Sequence, residues 1–154
     1  MKVEINDLQD LRLYKKLSFQ SKVVVFVFDK VVFNCVIPSK YLFDYTFGVG
    51  DMKFYKFRIR AKEITFNYLA DVEELSAYKL IAKDAVSCEW INVTDSIEGK
   101  DIKCSVLVGN TIECKNIIVD KIICNRLQAK RLKIGDQAFH YVSCDGVSNI
   151  GGKL

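Results

Sequence analysis

The chain has 154 residues and 50% of them are hydrophobic, enough for one domain with a continuous core and too many for a disordered chain. Its formal net charge of +4 is a mild basic bias, short of the excess that marks a dedicated nucleic-acid binder. Met1 to Phe19 has no secretory h-region, and the longest strongly apolar run, Val23 to Phe28, is too short to span a bilayer, so the sequence reads as cytoplasmic and without membrane contact.

In chain order, residues 1–56 read as an N-terminal α/β cap or small subdomain. Asp7 is placed to N-cap a short helix through Leu17, with Leu8, Leu11 and Leu17 toward one face. Val23–Phe28 and Val31–Ile37 read as two strands of a hairpin turning at Asp29-Lys30 and ended by Pro38. An aromatic run from Tyr41 to Phe47 follows, then a break at Gly48-Val49-Gly50, then an alternating stretch from Met52 to Ala61. The aromatics, with Phe54, Tyr55 and Phe57, are expected to pack between cap and repeat; left exposed, they would form a protein-binding patch.

From Ile97 onward a large aliphatic residue returns every fifth position: Ile97, Ile102, Leu107, Ile112, Ile117, Ile122, Leu127, Leu132. Two residues after each stands a smaller or apolar one: Gly99, Cys104, Gly109, Cys114, Val119, Cys124, Ala129, Ile134. A period of five fits neither a helix nor a simple strand. It fits a chain that runs extended for three residues, with both apolar positions on one side, and then turns a polar corner. Upstream, Ile59/Ala61 and Ile64/Phe66 fit, then after slips of one residue Leu75/Ala77, Leu80/Ala82, Ala85/Ser87 and Ile91/Val93. Residues 57–136 therefore read as the repeat region and 137–154 as a C-terminal cap and tail, loosened by Gly146, Gly151 and Gly152.

Here the chain resembles the pentapeptide-repeat proteins in an I-x-C/A-x-x variant, as in Ile112-Glu113-Cys114 and Ile122-Ile123-Cys124. The resemblance covers Ile97 to Ile134 best, and the order of large and small residues departs from the usual family pattern, which puts the small residue first. It implies a mainly β fold, a quadrilateral β-helix or β-solenoid. Four sides close a coil of about twenty residues, with coils spaced ~4.8 Å. Ile102 is then expected on Ile122, Leu107 on Leu127, Ile112 on Leu132 and Cys104 on Cys124, with Asp101 beside Lys121 and Glu113 beside Lys133.

The reactive groups have ordinary readings. Cysteine supplies a small apolar interior residue, and without a CxxC pair neither a metal nor a redox site is expected. His140 with Cys144 lacks a recognisable orienting partner and reads as part of the cap; Asp71, Glu73 and Glu74 read as a solvated corner. No phosphate-binding motif occurs, no cofactor is expected, and the chain reads as a non-enzyme. Between Lys121 and Gly135 stand Lys121, Arg126, Lys130, Arg131 and Lys133 with no acid, a candidate partner-binding surface for phosphates or an acidic protein, set against a merely solubilising one. Phe139, His140 and Tyr141 are the candidate cap or homodimer contact. The expectation is a non-catalytic inhibitor or adaptor on a nucleic-acid-handling protein complex or on nucleic acid itself, by analogy with phage inhibitors of host defence, including anti-CRISPR proteins. Two alternatives remain: a self-assembling structural module, and a topoisomerase-directed DNA mimic, which the basic repeat disfavours.

Overall fold

A computed structural model describes residues 2–18, 23–43, 54–145 and 150–151. Residues 44–47 of the aromatic run, the Gly48-Val49-Gly50 break, Met52, Gly146 and Gly152 lie outside the described residues. The fold is mainly β: among the described residues eleven strands form one sheet whose successive neighbours are mostly parallel. In chain order these are β1 (Lys2–Ile5), a 3-10 helix (Leu8–Leu13), β2 (Lys15–Ser18), β3 (Val23–Val27), β4 (Lys30–Phe33), β5 (Tyr41–Phe43) and β6 (Phe54–Phe66). They continue as β7 (Ala70–Val108), β8 (Thr111–Ile123), β9 (Arg126–Ile134), β10 (Gln137–Asp145) and β11 (Ile150–Gly151).

The N-terminal expectations are corrected in two places. The helix that Asp7 caps is a 3-10 helix that stops at Leu13, with the Asp7 carboxylate accepting from the Gln9 N–H at 2.8 Å and Asp10 reaching back to the Asp7 N–H at 3.1 Å. The Lys15–Ser18 segment beyond it is strand β2, antiparallel to β3. The hairpin does not form either. β3 and β4 both run parallel to β6, Val24 opposite Phe57 and Val31 opposite Ile64, and Asp29 marks a corner between them, its carbonyl accepting from the Lys62 N–H at 2.7 Å. The dipeptide Asp-Lys lacks the positive φ that a tight hairpin turn demands, which a corner does not require. β1 in turn lies parallel to β4, so these N-terminal strands belong to the same sheet as the repeat.

β7 spans 39 residues. Straight, it would be ~130 Å long at about 3.3 Å per residue, many times the ~15 Å radius of gyration of a compact chain of this size. It therefore bends, and side-chain bonds between its own residues show how. The Cys88 thiol lies 3.2 Å from the Glu73 carbonyl, and the Ser105 hydroxyl donates to Glu89 at 3.2 Å, so stretches about fifteen residues apart lie side by side.

The register between β7, β8 and β9 fixes the step. Ile97 pairs with Ile112 and Ile112 with Leu127; Ile102 pairs with Ile117 and Ile117 with Leu132; Leu107 pairs with Ile122. Each step is fifteen residues, which holds three five-residue repeats. The expected four-sided, twenty-residue closure is overturned. Leu107 does not face Leu127, Cys104 faces Val119 rather than Cys124, Asp101 faces Asn116 rather than Lys121, and Glu113 faces Gln128 rather than Lys133. The inward-pointing pattern holds: all eight aliphatic positions from Ile97 to Leu132 are buried, as are followers such as Cys104, Cys114, Val119 and Ala129. Upstream the step lengthens to sixteen, Ile59 opposite Leu75 and Ile64 opposite Leu80. The second slip also falls one repeat earlier than expected, so Val86 and Cys88 are buried and not Ala85 and Ser87.

Like residues at corners hydrogen-bond from one step to the next. The Asn34 amide donates to Asn6 at 3.0 Å and the Asn67 amide to Asn34 at 2.6 Å; Asn125 donates to Asn110 at 2.6 Å, and Asn116 to the Asp101 carboxylate. Such ladders form only in one register, so each opposes a slip. The edge of β9 is covered by β10. The chain reverses at Gly135, which adopts φ 57°, and β10 runs antiparallel along both arms of β9, while β11 pairs antiparallel with Lys121 and Ile122 of β8.

A candidate basic groove on the outer face

In a strand whose two apolar residues point inward, the residue between them points outward. One outward column is Glu98, Glu113 and Gln128; another is Lys103, Ile118 and Lys133. The second is cationic at both ends and aliphatic in the middle, and Ile118 is 45% exposed. Beside it runs the corner column Asp101, Asn116, Arg131. These two columns line a groove of about 540 Å³ together with Leu69, Ala138 and His140. Among the described residues lining the groove Asp101 is the only acid, and its carboxylate accepts the Asn116 amide.

The five basic residues singled out in sequence do not share one surface. Arg131 and Lys133 line the groove. Lys130 lines a neighbouring cavity of about 470 Å³ with Glu98, Glu113 and Tyr141. Lys121 stands in the column of Val106, opposite Gly151, and Arg126 in the column of Thr111, opposite Asp145. What sequence reasoning missed is Lys103, Ile118 and Leu69. Lys103 and Lys133 are two steps of fifteen apart, so the signal was present and the assumed step of twenty concealed it.

The expected cap residues divide by face. Phe139 lies opposite Leu132 and packs, partly buried, on the core, joined by Val142 opposite Ala129. His140 lies opposite the outward Arg131 and is exposed. Tyr141, at φ 55°, interrupts the alternation and is 84% exposed. Cys144 lies opposite the buried Leu127, so His140 and Cys144 point to opposite faces of β10 and do not form a nucleophile–base pair. Of the acidic cluster, Glu73 accepts from Arg58 at 2.9 Å and Glu74 lies 3.4 Å from the same guanidinium, an ion-paired corner.

Burial pushes the Cys88 and Cys114 thiols up to about 12 and the Cys104 thiol higher still, so they are protonated, weak nucleophiles at neutral pH. Among the described residues no group of three or more His, Cys, Asp or Glu side chains is placed to hold a metal ion, and no helix is long and apolar enough to cross a membrane. Comparison with protein-family models, with curated proteins and with solved structures finds no match to this chain.

Proposed function

We propose that the chain is a three-sided β-solenoid that acts as a non-catalytic binding scaffold, an inhibitor or adaptor that docks its basic groove on a nucleic-acid-handling protein complex. The three sides follow from a step of fifteen residues built of five-residue repeats. The period is shared with pentapeptide-repeat proteins; the closure on three sides is not. The observation that carries the binding role is the column Lys103–Ile118–Lys133 beside Arg131, held in place by paired strands. Side chains on such a frame lose little further backbone freedom on binding, which favours affinity. Cations fixed on one face also speed encounter with an acidic partner.

The test is capture of partners from a lysate by the tagged full chain, with and without nuclease, compared with a Lys103→Glu/Arg131→Glu/Lys133→Glu variant. Nuclease-resistant capture of one complex, lost in the variant, is the expected result. Capture that the variant leaves unchanged removes the basic groove from the function.

A further inference from the structure

Resting on that reading of the groove, we propose that its occupant is an acidic, aliphatic-containing segment of a partner protein, bound extended across the strands. The floor comes first. Ile118 and Leu69 are 45% and 47% exposed, an aliphatic surface that phosphates and sugars have no use for and that a Leu, Ile or Val side chain would cover. The rim is cationic: among the described lining residues Lys103, Lys133 and Arg131 stand against one acid, Asp101, which already accepts an amide. Charge complementarity therefore asks for carboxylates on either side of an aliphatic residue.

Geometry sets the length. The groove crosses five adjoining stretches, at 85–87, 101–103, 116–118, 131–133 and 138–140. Four spacings of about 4.8 Å make ~19 Å, or roughly six extended residues. Lys103 and Lys133 are ~10 Å apart along that line, the reach of carboxylates two to three residues apart. Strand addition within the groove is not the mode, because the backbones of 101–103, 116–118 and 131–133 already pair with one another and 131–133 pairs with 138–140, so the segment lies across paired strands. Side chains do the recognising.

A nucleic acid fits less well. Single-stranded binders pair their cations with exposed aromatic rings on which bases stack. The aromatic residues lining this groove are Phe139, which is partly buried on the core, and His140.

Selection of a displayed library of random peptides, each about twelve residues long, on the full chain supplies the probe. The strongest selected peptide and a thymidine oligonucleotide, both fluorescently labelled, are then titrated by anisotropy. Lys103→Glu/Lys133→Glu and Ile118→Ser are compared with the parent chain; all three positions are exposed, and retained thermal melts check the fold. We expect peptides rich in Asp or Glu with Leu, Ile or Val, weakened about tenfold or more by Lys103→Glu/Lys133→Glu and about threefold by Ile118→Ser, and bound more tightly than the oligonucleotide. Tighter binding of the oligonucleotide, lost in the charge variant and indifferent to Ile118→Ser, overturns the peptide inference and leaves the basic groove standing. Failure of both probes to bind, or binding that the charge variant leaves intact, overturns the groove reading as well.

Discussion

The two halves of this sheet make the same parallel stack from different sequence grammars. From Ile97 to Ile134 the step is fifteen residues, and the core is a column of Ile and Leu with small followers. From Lys2 to Phe66 the steps are longer, Ile5 opposite Phe33 and Phe33 opposite Phe66, and the core mixes aliphatic residues with aromatic rings. Phe33 stacks on Phe66 with ring centroids 5.2 Å apart, and Phe26 meets Phe57 edge-on at 6.0 Å. The extra residues of each long step leave room for the 3-10 helix and β2, and for β5. Repetition fills the interior in one half; in the other, large rings pack among aliphatic residues. Both halves use asparagine ladders to fix register, Asn6–Asn34–Asn67 and Asn110–Asn125.

Core truncation should separate the halves most strongly. Phe33→Ala removes a fully buried ring and is expected to cost about 4 kcal/mol, against about 3 for Ile112→Ala, read by urea denaturation. Equal costs would mean that the aromatic half is no more tightly filled than the aliphatic one. Overpacking comes next. A Cβ on Gly109 would lie 3.0 Å from Ile97 Cδ1 and 3.1 Å from Ile112 Cγ1, so Gly109→Ala is expected to cost about 2 kcal/mol; Gly99→Ala, which has one contact at 3.2 Å and the next at 3.4 Å, should cost less. A neutral Gly109→Ala would show that the regular half has slack.

Alkali probes the repeat's cysteines. Folding holds Cys88, Cys104 and Cys114 protonated above the ordinary thiol value of 9.0, whereas the unfolded chain ionises there. The unfolded state thus binds fewer protons, so stability falls as pH rises above about 9. Cys88→Ala/Cys114→Ala should flatten that slope; an unchanged slope would place the two thiols in water. The ladders give the smallest effect. Asn34, which both donates and accepts, should cost about 1.5 kcal/mol as Asn34→Ala, and the exposed Asn125→Ala under about 1. The reverse order would make the N-terminal ladder incidental.

Much of the repeat half was legible because five-residue periodicity reports side-chain direction, and direction is what burial follows. Every aliphatic position from Ile97 to Leu132 points inward as the spacing implies. Closure was not legible: a five-residue side fits three or four walls equally well, and the pairs Asp101–Lys121 and Glu113–Lys133 favoured the wrong one. Exposed ion pairs are worth too little to choose a register. The asparagines, fifteen residues apart at Asn110 and Asn125, carried the better signal. Val23–Phe28 and Val31–Ile37 suggest a hairpin because two apolar runs flanking a polar dipeptide look alike whether the chain reverses or turns a corner. Nearness in sequence grouped Lys121 and Arg126 with Arg131 and Lys133, although they do not line the groove, and left out Lys103, two steps away.

The fifteen-residue step is tested most directly by oxidative cross-linking of introduced cysteines at exposed positions. Glu98→Cys with Glu113→Cys should form a disulfide, mapped by mass spectrometry, because those residues are direct partners across β7 and β8. Glu98→Cys with Ile118→Cys, separated by twenty residues, should not cross-link under the same conditions. Bridging of 98 to 118 in preference to 113 would contradict the register and remove the groove built on it.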